Sequence, residues 1–332
     1  MQLSQNGFSS NSNILKRLRD EFIRTQCVTV SEFLSNTLAQ QIAQEVGSAE
    51  FNEYKNLRSN GDLLDTEMTI EGSNIWVHVL HLLLNNHELF EAIEYITRCS
   101  GIRCFMGRIS HHVPDANHHS DWHNDIDTER ARIIGISINL STSPYSGERF
   151  ELRRIGGSEL LASVSHEKPG AAHIFAIRDD LKHRVTATQG TVPRAALAGW
   201  FQSSPSSWDI IRRQYSEPAN SSDGRTSEPV AIIPSAIPDT IRVPDFVVSQ
   251  TFGDAIVLLN MKTRKYYSLN GFAAQLWRML SRCSALLDIK EQLSDRYPTD
   301  RGRAQTGLDS FVSHLMKHEL LIAEDPARVP VH

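Results

Sequence analysis

The sequence predicts two domains. The first is an antiparallel double sheet, or jelly roll, with flanking helices. The second is a small α+β domain of three strands and three helices. Helix-period segments fill most of the first hundred residues, and short period-two runs punctuated by Gly, Pro and Ser continue to about residue 202. A polar stretch, "SEPANSSDGRTSEP", then separates these runs from a second group of strands and helices. With 332 residues, each part is long enough to bury its own core.

Taken in order, "SNILKRLRDEFIR", "SEFLSNTLAQQIAQEVG" and "HELFEAIEYITRCSG" read as helices. In the second of them Phe33, Leu34, Leu38, Ile42 and Val46 recur at helical spacing, and Ser31 is the expected N-cap. From residue 103 the texture becomes β-like. "RIIGISINLS" sets Ile134, Ile136, Ile138 and Leu140 on one face and Gly135, Ser137 and Asn139 on the other. "RFELRR", "LLASVS", "AAHIFAI" and "RAALAGWF" continue the pattern. Residues 216–238 have linker composition. Beyond them "TIRVPDFVVSQ", "DAIVLLN" and "RKYYSLN" read as strands. Three helices follow. Phe272, Leu276, Trp277 and Leu280 line the first, Leu287, Leu293 and Tyr297 the second, and Leu308, Phe311, Val312, Leu315 and Met316 the third.

Composition removes several classes of function. The net charge is -5, and residues 241–332 carry 12 Lys+Arg against 10 Asp+Glu, so neither part has the basic stripe that a phosphate backbone requires. Nucleic acid is not an expected partner. No run of eighteen apolar residues is present and the N-terminus lacks an apolar signal core, so neither a membrane span nor secretion is expected. Cys27, Cys99, Cys104 and Cys283 lie far apart without a C-x-x-C pair, which argues against disulfides and zinc and fits a reducing cytoplasm.

The chemistry concentrates between His123 and Arg194. His123-Asn124-Asp125, a distant His183 and Arg194 offer two imidazoles, a carboxylate and a cation. Two His and one carboxylate suit a mononuclear non-haem Fe(II) site that keeps coordination positions open. A guanidinium suits an acidic cosubstrate, because it can pair a carboxylate through two parallel hydrogen bonds. A competing H-x-D, His119-Ser120-Asp121, lies four residues earlier. His111, His112, His118 and His119 read as loop histidines that serve structure or line a substrate.

In their strand context these residues resemble the 2-oxoglutarate/Fe(II)-dependent dioxygenases of the prolyl-hydroxylase-like type. The resemblance spans roughly residues 100–202. It rests on His123-Asn124-Asp125, Ile138-Asn139-Leu140, Gly147 to Leu152, His183, Arg194 and Gly199-Trp200-Phe201. It implies a double-stranded β-helix with His123, Asp125 and His183 as catalytic iron ligands and Arg194 holding the far carboxylate of 2-oxoglutarate. It further implies O₂ as cosubstrate and succinate as a product, while a C–H bond of the substrate is oxidised. Relatives that halogenate lack the carboxylate ligand, so Asp125 favours hydroxylation.

The C-terminal part resembles the PqqD-like domain, or RiPP recognition element, through "DAIVLLNMKTRKYYSLNGFAAQLWRML" and "LDSFVSHLMKHELLIAED". This implies a winged-helix-like module that binds the leader of a ribosomally made precursor peptide by strand addition. Its edge strand would run from Arg264 to Leu269, with residues 308–318 as the adjacent wall. Arg264 and Tyr267 are the candidate peptide contacts, while Tyr266, Leu269, Trp277 and Phe311 read as core. The expected layout is an oxygenase over 1–215, a linker over 216–238 and a peptide-binding domain over 239–326. The expected function is hydroxylation of a precursor side chain. A hydroxylase of a free amino acid or small metabolite, and an inactive peptide-delivery adaptor, stand as alternatives.

Overall fold

The computed structural model describes residues 1–5, 7–57, 63–70, 74–114, 120–165, 168–204, 237–252, 255–282 and 285–324. The chain divides into two units, Met1–Gln214 and Tyr215–His332.

The first unit opens with a hairpin, β1 (Gln2–Ser4) and β2 (Gly7–Ser9), then α1 (Ser12–Thr25), β3 (Cys27–Val30) and α2 (Asn36–Gly47). A second hairpin, β4 (Phe51–Leu57) and β5 (Leu63–Ile70), precedes α3 (Ile75–Leu84) and α4 (His87–Thr97). Each of the four helices has a side-chain N-cap: Asn11, Ser35, Asn74 and Asn86. Ser31 is therefore not the cap of the second helix, which starts five residues later because Ser35 Oγ accepts from the Leu38 amide at 3.4 Å. Phe33 and Leu34 are still buried, held by backbone bonds to Leu3 and Gly170 rather than by a helical turn. The strands β3 to β5 and the helix α3 had no sequence expectation. In α3 apolar residues are buried all round, from Trp76 to Leu84, so no amphipathic period marks it.

The strands that follow are β6 (Cys104–His112), β7 (Ser120–His123), β8 (Arg132–Asn139), β9 (Phe150–Arg154), β10 (Leu160–Val164), β11 (Ala172–Ala176), β12 (Leu181–Val185) and β13 (Arg194–Gln202). They form two antiparallel sheets, a seven-stranded one in the order β3-β11-β8-β13-β6-β5-β4 and a four-stranded one in the order β10-β9-β12-β7. Pleating decides what each face of the large sheet carries. Ile134, Ile136 and Ile138 lie on the face that the helices cover, where Phe201 of β13 meets Phe90 of α4 edge to face at 5.9 Å. The opposite face carries Gly135 and Ser137 of β8, Arg108, Ser110 and His112 of β6, and Arg194, Ala196, Ala198 and Trp200 of β13. That inner face meets the small sheet: the rings of Phe150 and Phe175 lie 4.5 Å apart, and Phe175 lies 4.8 Å from His183.

Gly135 has a packing reason. A Cβ there would stand 2.1 Å from Phe175 Cζ, and Phe175 is itself held between Phe150 and His183. Gly135→Ala is expected to destabilise this unit by about 1–3 kcal/mol through overpacking. The urea unfolding midpoint checks this, and an unchanged midpoint would contradict the packing account.

The second unit contains β14 (Ile241–Arg242), a three-stranded antiparallel meander of β15 (Val247–Phe252), β16 (Ala255–Asn260) and β17 (Lys265–Leu269), then α5 (Gly271–Leu280), α6 (Leu286–Arg296), α7 (Arg301–Lys317) and β18 (Ile322–Ala323). Its core joins Leu258 and Leu269 of the sheet to Trp277, Ile289, Leu293, Leu308 and Val312 of the helices. Three sequence expectations fail here. Leu287 is 68% exposed because Leu286 and Ile289 take the inward positions of α6, and Phe272 at the start of α5 is also exposed. Tyr267, opposite Leu258, packs on the core, whereas Tyr266 sits opposite Leu259 on the other face, the reverse of the expected assignment. No helix among the described residues is long and apolar enough to cross a membrane. Cys27, Cys99 and Cys104 are free thiols.

Candidate metal centre

Strand pairing brings the two distant histidines together. In the β12–β7 ladder His183 stands directly opposite His123, and their rings lie 4.4 Å apart. Asp125, two residues past His123 and just beyond the end of β7, turns back between them. Its Oδ1 is 3.6 Å from His123 Nε2 and its Oδ2 is 3.4 Å from His183 Nε2. One ligand-type atom from each of the three residues falls within 4.8 Å of the others, the one such group among the described residues. Of the competing H-x-D, His119 lies outside the described residues, and Asp121 is exposed and contributes its backbone carbonyl.

Neighbouring groups fix the orientation of this triad. His123 Nδ1 donates to the Asp121 carbonyl at 2.6 Å, which fixes the ring with Nε2 on the side of Asp125. Trp200 Nε1 donates to Asp125 Oδ2 at 2.7 Å, and the Arg132 guanidinium stacks 3.7 Å over the Trp200 ring while bonding the Asp125 carbonyl. His183 is buried against Phe150 and Phe175. Burial pushes the Asp125 carboxyl upward, but the attraction of His183 and hydrogen bonds from both histidines outweigh it and hold it well below the ordinary carboxylate value. Burial lowers His183, and the Asp125 charge partly offsets that. The Asp125 carboxyl is therefore ionised between the two rings, the state in which a carboxylate binds a divalent cation.

Arg194 opens β13 on the inner face of the large sheet and is buried. Its Nη1 pairs with Glu148 Oε1 at 2.5 Å and its Nη2 donates to Ser137 Oγ at 2.9 Å. Glu148 is buried too, and accepts from Thr188 Oγ1 at 3.1 Å with His112 Nδ1 3.4 Å away. His111 and His112 are thus not loop residues. They end β6, with His112 inside and His111 stacked on Phe51 at 4.6 Å. His118, like His119, lies outside the described residues. Sequence reasoning missed Glu148 and Trp200 as partners. A signal existed: Glu148 shares strand parity with the inward Phe150 and Leu152, and Trp200 shares it with Arg194.

In the second unit, β17 is an outer strand of the three-stranded sheet. Arg264 does not belong to it. It occupies the turn before β17 at φ +57°, where Asn260 Oδ1 accepts from the Lys262 and Thr263 amides. Tyr267 projects from β17 toward the end of α7, its ring 5.4 Å from that of His318.

Residues 255–321 match the family model of coenzyme PQQ synthesis protein D, PqqD. A search of the curated proteins found no match. Among solved structures, the chain is similar to a Pseudomonas putida prolyl-4-hydroxylase at 16% identity, over 57% of this chain and 98% of that one, with a TM-score of 0.42. It is also similar to a 2OG-Fe(II) oxygenase-family oxidoreductase from Burkholderia pseudomallei, at 13% identity over 62% and 97% of the two chains, with a TM-score of 0.43. A third similarity is to TbiB1, solved in complex with the TbiA(beta) leader peptide. It is 27% identical and covers 25% of this chain and 98% of that one, with a TM-score of 0.24.

Proposed function

We propose that this chain is a peptide-modifying, Fe(II)- and 2-oxoglutarate-dependent oxygenase that hydroxylates a side chain of a ribosomally made precursor. The observation that carries the reading is the convergence of His123, Asp125 and His183 within 4.8 Å at the small sheet, which meets the inner face of the large sheet where Arg194 is buried. The donor set fits the metal: two imidazole nitrogens and one carboxylate suit Fe(II) and leave positions for other ligands. His123 Nε2, His183 Nε2 and an Asp125 oxygen would hold it. The bound iron would supply activation of O₂ at the expense of 2-oxoglutarate.

The protein's own part is binding, orientation and exclusion of water. Arg194 would hold the acid end of 2-oxoglutarate by paired N–H donors. Phe150 and Phe175 wall His183 and keep that side of the site apolar. Trp200 acts as a positioning residue, because its indole N–H restrains one oxygen of Asp125 and thereby aims the other. Trp200→Phe is expected to weaken metal affinity by about 10–100-fold. Mn(II) titration followed by electron paramagnetic resonance measures it, and an unchanged dissociation constant would remove Trp200 from this role.

In this proposal residues 1–215 carry the chemistry, 216–238 link, and 239–326 grip the leader of the precursor. The match of 255–321 to PqqD supports the last assignment. Strand addition at β17 would supply backbone hydrogen bonds, with Tyr267 and Arg264 beside the added strand. The deciding experiment is to incubate the protein with Fe(II), 2-oxoglutarate, O₂ and the precursor, and to follow succinate and the peptide mass. A mass gain of one oxygen with matching succinate is expected. Peptide binding without succinate would mark an inactive adaptor. Equal turnover of a leaderless small molecule would instead mark a metabolite hydroxylase.

A further inference from the structure

The inner arginine is already occupied. Arg194 Nη1 bonds the Glu148 carboxylate and Nη2 bonds Ser137, all three groups being inside the sheets. The space beside them is a cavity of about 20 Å³ lined by Ser137, Glu148, Phe150, Val185 and Arg194, with room for about one water. A carboxylate does not fit there until the pair opens. Charge leads to the same point. Arg194 and Glu148 sum to zero, so a second carboxylate would leave a buried net negative charge, which is costly without a compensating partner.

We propose that Glu148 is a specificity-determining residue of this site: it holds Arg194 in the ligand-free protein, and an acid-tailed 2-oxo acid displaces it with uptake of one proton by the Glu148–His112 pair. The inference rests on the cosubstrate reading above. His112 is the group on β6 that can share the proton, with Nδ1 3.4 Å from Glu148. Thr188 supplies a hydrogen bond but no charge, and Tyr145 reaches the cavity from the β8–β9 connection. His173 faces the arginine from β11. Burial first, and then the Arg194 charge, push it down to about 3, so it stays neutral and takes no part.

The sign follows from linkage. Burial raises Glu148, but Arg194, His112 and Thr188 outweigh it, so without ligand the carboxyl lies below its ordinary value and is ionised at neutral pH. Losing Arg194 to the incoming carboxylate removes the leading stabilisation and raises the carboxyl in the complex. Affinity is therefore full below the ligand-free value, falls about tenfold per pH unit up to the value in the complex, and is flat above it.

The test is calorimetric titration of 2-oxoglutarate into the full-length protein loaded with Mn(II), in buffers of different ionisation heat, at several pH values between about 6 and 8.5. Expected are uptake of about one proton and a dissociation constant rising about tenfold per pH unit across part of that range. The monoacid 2-oxobutanoate should bind without proton uptake. Glu148→Gln should abolish the uptake and bind 2-oxoglutarate at least about tenfold tighter than the native protein at the alkaline end. Tight binding to the native protein with no proton uptake would overturn the proposal, with or without a folded variant. So would a Glu148→Gln protein that binds more weakly at every pH, since Glu148 would then only support Arg194. If Mn(II) binds but 2-oxoglutarate does not at any pH, the cosubstrate reading itself falls, and this inference with it.

Discussion

Asp125→Ala is expected to abolish succinate formation, lowering turnover by at least about 10³-fold. That exceeds the 10–100-fold loss expected for a residue that merely orients a ligand. The carboxylate provides the negative charge in the triad, and both histidine Nε2 atoms approach it within 3.6 Å. Its removal leaves two neutral imidazoles, whose hold on a divalent cation is weaker, and strands the Trp200 indole N–H without its acceptor. His183→Ala should behave alike, and also opens a void against Phe150 and Phe175. Iron stoichiometry of the purified variants, measured beside succinate release, separates lost metal from lost catalysis. Normal iron content and normal turnover in either variant would overturn the ligand assignment.

Deletion of residues 239–332 is the second large effect. If those residues bind the leader, the encounter of the substrate residue with the oxidising site becomes intramolecular, and tethering of this kind raises effective affinity by about 10²–10⁴-fold. The truncated protein is therefore expected to show a KM for full-length precursor raised by about that factor. Its affinity for Mn(II) and 2-oxoglutarate should stay as in the intact chain. A leaderless core peptide should be turned over equally by both proteins. If the truncated protein matched the intact one on full-length precursor, the tethering idea would be wrong.

How legible was this in the chain? The alternation of Ile134, Ile136 and Ile138 against Gly135 and Ser137 marked β8 and both of its faces, because a pleated strand with one face under helices writes that pattern directly. The stripe of Leu308, Val312 and Leu315 marked the last helix for the same reason. The helix α3 was hidden because it is buried on all sides and carries no period. Ser31 was a plausible cap by residue type, but Ser35 takes the part. Adjacent tyrosines gave no clue to which one faces the helices, and only the pairing of Tyr267 with Leu258 decides it.

The candidate site shows the same division. Residue types along the chain establish which side chains are available: His123 and Asp125 two apart, His183 and Arg194 on later strands, and a segment from 255 to 321 that matches PqqD. Tertiary structure alone decided that His183 stands opposite His123, that Trp200 bonds Asp125, and that Arg194 rests on Glu148. The physical reason is range. Pleat parity and helical period act between near neighbours, so the chain displays them locally. Register between strands, and the pairing of buried charges across two sheets, depend on which distant segments meet when the whole core packs.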